Sequence, residues 1–288
     1  MIETVNSRSV EIPDSIDSVQ FGVIKMTGDE SVDFLQRITT NEFTGFNTGS
    51  IQKTLLVTDK GRVLDAVWVV HCDEYLLMLT SEGMAGEIIT WLDKYIIMEQ
   101  IELQDVSSIY HVVIHSKNVK DSYQTDYFGV PASFTIILEK SSDQTRHGIP
   151  IDHSYETWRI NNGIPKTKQE ISPEFNPLEL NLWDWISFTK GCYIGQEVIA
   201  RLDTYNKIQR CLCKISSDQS IAVRELLLDS EENEIGIVTS FSFEKTHLIG
   251  LAVIKTKAID EERLVRTKGS GSIVTIEHVF RKLANGTK

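Results

Sequence analysis

The chain predicts an α+β fold in two parts: a mixed body over residues 1–205 and a small all-β domain over 206–288. Three observations carry this. The first half alternates strand-like apolar runs with helix-spaced ones. After Asp203 only short strand-like runs remain, separated by turn residues. At 288 residues the chain is also too long for one small core.

Residues 21–25 read as a strand. Gly28-Asp29 then offers a turn and an N-cap to a helix with Val32, Leu35 and Ile38 on one face. Strands at 54–57 and 63–70 flank the turn Asp59-Lys60-Gly61, a hairpin signal. A strand at 75–79 precedes a helix over 83–95, whose stripe Ile88, Trp91, Leu92 and Tyr95 reads as core. The runs 111–115 and 133–138 alternate as strands. His111 and His115 share a face, but no third ligand follows nearby, so core or surface histidines are expected rather than zinc. Residues 141–147 read as a polar loop. A helix over 155–162 ends at Gly163, with Pro165 beyond it. The strands at 211–215, 234–243, 248–255, 263–267 and 272–279 then suggest a sandwich or barrel.

Composition excludes several classes. Hydrophobic residues at 41% and charged residues at 24% fit an ordinary soluble globular protein. No apolar run approaches the roughly 20 residues that span a bilayer. The acid-rich first twenty residues argue against a base-rich targeting segment and for a cytoplasmic home. A net charge of −12 argues against direct nucleic-acid or anionic-membrane contact. A local basic island (Lys190, Arg201, Lys207, Arg210 and Lys214 against Glu197 and Asp203) offers a small anion a place to approach, or is merely a solvated face. Cys72, Cys211 and Cys213 read as small core residues.

Cys192 stands apart. It lies in Lys190-Gly191-Cys192-Tyr193-Ile194-Gly195-Gln196-Glu197, just ahead of a helix-forming run. A helix N-terminus and a lysine two residues away both favour a thiolate. Gln196 and Glu197 fall in the first helical turn, where they can bond free N–H groups or orient a ligand. Arg201, four residues after Glu197, makes an intrahelical ion pair the simpler reading of that pair.

This octapeptide, with Trp158-Arg159-Ile160-Asn161-Asn162-Gly163-Ile164-Pro165, Asn176-Pro177-Leu178-Glu179 and Ser187-Phe188-Thr189, strongly resembles the YgfZ-type folate-binding proteins. These are relatives of the glycine-cleavage T-protein, an aminomethyltransferase. Thr39-Thr40-Asn41-Glu42, Asp59-Lys60-Gly61-Arg62-Val63-Leu64 and Glu234-Ile235-Gly236-Ile237-Val238-Thr239-Ser240 extend the likeness over most of 20–255. The resemblance implies two ferredoxin-like α/β subdomains forming a folate-binding body, plus a C-terminal small β-barrel. It also implies tetrahydrofolate or a one-carbon derivative as cofactor. The partners it implies are iron–sulfur proteins or their assembly machinery, with dependent tRNA modification.

Where the T-protein carries an aspartate after its hairpin glycines, this chain aligns Ala66, and Asp65 falls one residue earlier, on the opposite strand face. Where the T-protein has a glutamate for the pterin, the chain has Asn161. Both departures argue against aminomethyl transfer within an aminomethyltransferase-like fold. Cys192, Lys190, Gln196 and Glu197 are then the candidate chemical residues. Asn41, Arg62, Asn161 and Trp185 are the candidate folate contacts, with turn, hairpin-arm and core roles as the structural alternatives. A true aminomethyltransferase and a non-catalytic folate-binding scaffold stay open beside the accessory-factor reading.

Overall fold

The computed structural model describes residues 15–16, 19–138, 153–205, 207–244, 247–261 and 263–281. The polar loop read at 141–147 and most of the acid-rich start lie outside them. Among the described residues, contacts gather 15–138 with 184–196 in one compact unit, and 153–183 with 197–281 in another.

The first unit runs β1 (Ser15–Ile16), β2 (Phe21–Thr27), α1 (Ser31–Ile38), β3 (Ile51–Val57), β4 (Val63–His71), β5 (Leu76–Ser81), α2 (Ala85–Leu92), β6 (Glu102–Asp105), β7 (Tyr110–His115), β8 (Tyr123–Tyr127) and β9 (Val130–Leu138). Its strands make a five-stranded sheet in the order β3-β4-β5-β2-β6 and a four-stranded sheet in the order β1-β7-β9-β8. β4 is apolar along almost its whole length because both of its faces are covered. On one side Val67 and Val69 join Ile24, Met78 and the helix residues Phe34 and Leu35. On the other, Trp68 stacks on Tyr127 at 5.5 Å and meets Phe134 of the second sheet at 5.2 Å. Aromatic area of this kind supplies much of a core's burial energy.

Helix α1 departs from the expected pattern. It begins at Ser31, with Glu30 rather than Asp29 at the cap, and no side chain caps it. The turn closes instead through Ser31 N–H and Oγ, both donating to the Gly28 carbonyl at 3.1 and 2.7 Å. Phe34, Leu35 and Ile38 are buried, while Val32 is only partly so. The half-buried Trp91 meets Tyr95 at 5.0 Å and packs on the same core, as the stripe predicted. β6 leaves no strand signal in the sequence because Glu-Leu-Gln-Asp has no β-branched or aromatic member.

The second unit holds α3 (His153–Asn161), α4 (Gln196–Thr204), β10 (Arg210–Ser217), β11 (Leu226–Leu228), β12 (Glu234–Glu244), β13 (His247–Lys255), α5 (Thr256–Glu261), β14 (Leu264–Thr267) and β15 (Ile273–Phe280). The six strands close into a barrel in the order β10-β13-β12-β11-β14-β15. The all-β reading was therefore right, and the barrel is the form it takes. β11, three residues long, and the short α5 were too brief to leave a pattern. Cys211 and Cys213 face the barrel core beside Ile215 and Val238, as expected of small apolar residues. Cys72, in the first unit, is only half-buried, and burial raises its thiol pKa. Gly163 ends α3 at φ +61°, and a Cβ there would sit 2.6 Å from the Phe280 ring.

Candidate functional site

Residues 190–196 of the octapeptide lie in the first unit, tied down at several points. Ser187 N–H donates to the Thr40 carbonyl at 2.9 Å, and Thr40 Oγ1 donates to the Trp185 carbonyl at 2.7 Å. Lys190 is buried, and its Nζ donates to the Thr39 and Asn41 carbonyls at 2.9 and 2.5 Å. Burial lowers its pKa to about 8, against a partly compensating attraction to Glu42. The sequence suggested that Lys190 would act on the Cys192 sulfur. In the structure its ammonium is spent on main-chain carbonyls, so it anchors the loop.

Gly195 fixes the other end. It sits at φ +77°, and a Cβ there would lie 2.5 Å from the Thr58 carbonyl and 3.1 Å from Gly61 Cα. The loop thus rests directly on the β3–β4 hairpin turn. Between the two anchors Cys192 is exposed, and Gln196 Nε2 reaches back to the Gly191 carbonyl at 3.5 Å. Gly195→Ala should cost about 2–4 kcal/mol, because strained φ and a backbone clash act together. Unfolding in urea measures it; a cost below about 1 kcal/mol would show that the loop is free to lift from the turn.

The other predicted residues divide. Asn41 sits in the loop that Lys190 grips; its Nδ2 donates to the Lys53 carbonyl at 2.8 Å and its Oδ1 accepts from Glu42 N–H. Arg62 is half-buried on the hairpin turn beneath Gly195, and its N–H donates to Thr58 Oγ1 at 3.2 Å. Trp185 is 2% exposed, packed on Trp68 at 4.8 Å and on Phe128 at 4.9 Å, with Lys53 Nζ 5.6 Å from its ring. Asn41, Arg62, Lys190, Cys192 and Gln196 therefore belong to one cluster of loops, with Trp185 in the core beneath. Glu197 and Arg201 are both exposed on α4, and no ion pair joins them among the described residues, contrary to the expected i,i+4 pairing.

In the second unit Asn161, on α3, is half-buried and donates through Nδ2 to Glu244 Oε1 at 2.9 Å. Two motif segments prove to be clamps. Arg159 is 1% exposed; it donates to Glu156 Oε2 at 2.8 Å, to Gln169 Oε1 at 2.9 Å and to Ser240 Oγ at 2.8 Å. Glu179 is gripped by both ends of the Arg210 fork at 2.8 and 3.0 Å.

Asp65, the acid that aminomethyl transfer would call upon, is wholly buried. It accepts from Ser81 N–H at 2.9 Å and Ser81 Oγ at 2.6 Å, just past the point where the β4–β5 ladder ends at Trp68 and Leu79. Its carboxylate stands in for the missing backbone acceptor. Glu244 and this Asp65–Ser81 clamp could not be found by spacing, since each partner comes from a separate element.

The architecture defines a class: a mixed α/β body with a closed C-terminal barrel, as in the glycine cleavage system aminomethyltransferase T of Bartonella henselae. That structure matches with a TM-score of 0.70 at 16% identity, over 93% of this chain and 87% of its own. Residues 13–114 match the GCVT N-terminal domain. A tRNA-modifying protein YgfZ from Colwellia psychrerythraea is 24% identical over 70% of this chain and 71% of its own length. A putative chloroplastic transferase of Arabidopsis thaliana is 28% identical over 84% of this chain, which spans 65% of that relative's length. The chain is thus similar to GcvT-like proteins of YgfZ type. No helix among the described residues is long and apolar enough to cross a membrane.

Proposed function

We propose that the chain is a tetrahydrofolate-binding accessory factor for the assembly or repair of iron–sulfur proteins, and thereby for tRNA modification that depends on them. Cys192 is its reactive group. The observation that carries this reading is the octapeptide itself: an exposed thiol displayed on a loop pinned by Lys190 at one end and by Gly195 at the other. A structural thiol would be buried, as Cys211 and Cys213 are.

The residues present suit a reduced folate. Arg62, on the β3–β4 turn, offers a cation to the carboxylates of its glutamyl tail. Folate bound there would bring a one-carbon or redox-active ring to the protein. A cluster normally takes four cysteine ligands, so a cluster handled here is cargo, with its further ligands supplied by a partner protein. Asp65 argues against the aminomethyltransferase reading, since both its oxygens are engaged and no face of it meets solvent.

Calorimetric titration with tetrahydrofolate should show saturable binding. Arg62→Ala and Asn161→Ala should each weaken it about tenfold, the factor that ~1.4 kcal/mol represents. Absence of saturable binding to the wild type overturns the reading. In a strain lacking the protein, Cys192→Ser should fail to restore the activity of iron–sulfur enzymes. Full restoration would leave the scaffold reading in its place, and turnover of an aminomethyl donor would establish the transferase instead.

A further inference from the structure

Among the described residues, the two most exposed large apolar side chains are neighbours. Ile97 is 84% exposed and Met98 is 89% exposed, on the loop 93–101 that joins α2 to β6. A single exposed apolar residue is ordinary, but an adjacent pair on a fixed backbone is not. Glu99 does the fixing. Its Oε2 accepts from Ile97 N–H at 3.0 Å and from Met98 N–H at 3.1 Å, and its Oε1 accepts from Arg37 of α1 at 2.8 Å. Arg37 is held in turn by Asp33 at 3.0 Å. Beyond the tip, Gln100 N–H donates to Glu30 Oε2 at 3.1 Å, and the Gln100 carbonyl sits so close to Gly28 that no Cβ fits between them.

The tip therefore keeps one backbone shape while its two side chains stand in water. That combination suits association, because a loop already ordered gives up little conformational entropy on binding. Methionine adapts to irregular apolar pockets and is enriched at protein interfaces.

The charges beside the tip indicate what it meets. Asp29, Asp93 and Glu102 are exposed and join no ion pair among the described residues, whereas Arg37 is committed to Asp33 and Glu99. Lys94 is the one base on the loop. Such a rim favours a positively charged surface. It opposes a second copy of this acidic chain, and it opposes an anionic membrane. We propose that Ile97 and Met98 form a docking knob for a partner protein that offers an apolar pocket rimmed by lysine or arginine. The proposal goes beyond the folate reading and does not depend on it.

The test puts the photo-crosslinker p-benzoylphenylalanine in place of Met98 in the full chain, and in place of the exposed Glu231 as a control, in cells that make the protein. One protein should be joined from position 98 and not from 231, through a peptide lining an apolar pocket flanked by Lys or Arg. Purified, that protein should bind wild type in calorimetry. Ile97→Ser with Met98→Ser should weaken the binding about tenfold or more, while the urea midpoint stays at the wild-type value because only exposed atoms change. Asp29→Lys with Asp93→Lys should weaken it about fivefold and flatten its dependence on salt. Glu99→Ala keeps the apolar pair but frees the loop, and should weaken it about threefold or more. No adduct from 98 beyond that from 231 overturns the proposal, as does an adduct with this chain itself or with lipid. A partner that binds the serine variant as tightly as wild type overturns it too.

Discussion

Replacement of Arg159 by alanine is expected to destabilise the protein by about 3–5 kcal/mol, a large share of the 5–15 kcal/mol that a domain typically has. Arg159 is 1% exposed, and it is the centre of a fixed set of partners. Its guanidinium donates to the Ile164 carbonyl at 3.1 Å beyond the bonds to Glu156, Gln169 and Ser240, and it stands 3.6 Å from Glu170, which is wholly buried. The Ser240 hydroxyl lies 2.5 Å from Glu170 Oε1, and Lys166 N–H donates to Glu170 Oε2 at 2.9 Å. Removing the arginine leaves the Glu170 charge in the interior without its counter-ion, and that residual charge accounts for most of the cost. Arg159→Lys keeps the charge and loses the planar fork, so it should recover only part of the stability. The exposed pair Arg266–Glu232 sets the contrast: Arg266→Ala should cost no more than about 1 kcal/mol despite its 2.6 Å contact. Guanidinium unfolding of the three variants measures this, and a loss below about 1 kcal/mol for Arg159→Ala would mean that the network contributes little.

Asp65 should give the chain an unusual response to pH. Burial raises its pKa from 3.8 to about 6, against the bonds from Ser81 and from Ala66 N–H that favour the charged form. A carboxyl raised on folding binds its proton more tightly in the native state. Its contribution to stability is therefore present at low pH and is lost as pH rises through about 6, the reverse of a salt-bridged aspartate. The gap amounts to about 3 kcal/mol between pH 4 and pH 7.5, at ~1.4 kcal/mol per pKa unit. The Ser81 hydroxyl makes the protonated form comfortable, since it can turn from donor to acceptor. Asp65→Asn cannot titrate, so the stability of wild type minus that of Asp65→Asn should fall by about 3 kcal/mol across that range. A difference that stays flat or grows with pH would show that Asp65 is solvated in the folded protein. Asp65→Ala should cost about 2–4 kcal/mol at pH 4, where it strands the Ser81 N–H in the interior.

The parts of this fold legible in the sequence are those written locally. The alternation of 211–215 and the punctuation at Gly163 gave the barrel strands and the end of α3, because periodicity and a left-handed glycine are properties of neighbours. Alternation along β4 likewise sets the Asp65 side chain opposite that of Ala66. What it meets, Ser81, lies sixteen residues away on β5, and no local pattern names that partner. Lys190 shows the limit more sharply. Its charge invited an electrostatic role toward Cys192, whereas its partners are the carbonyls of Thr39 and Asn41, about 150 residues distant. Every residue has a carbonyl, so composition cannot single those out. Resemblance marks Asn161, yet the carboxylate beside it comes from residue 244, whose identity carries no signature.

The two sheets and the barrel also differ in how they expose main-chain hydrogen-bonding groups to other molecules. Because β10 and β15 pair with each other, the barrel has no terminal strand for a second chain to extend, and intermolecular strand addition has no starting point there. The five-stranded sheet does have borders, β3 and β6, and at β6 three of the four residues are the polar Glu102, Gln104 and Asp105. Like-charged borders repel one another, so two copies that meet along β6 are driven apart. Strand addition thus finds no starting point on the closed barrel and meets repulsion at β6. A mutation that opens the barrel would bare the edges of β10 and β15 and give strand addition a starting point there.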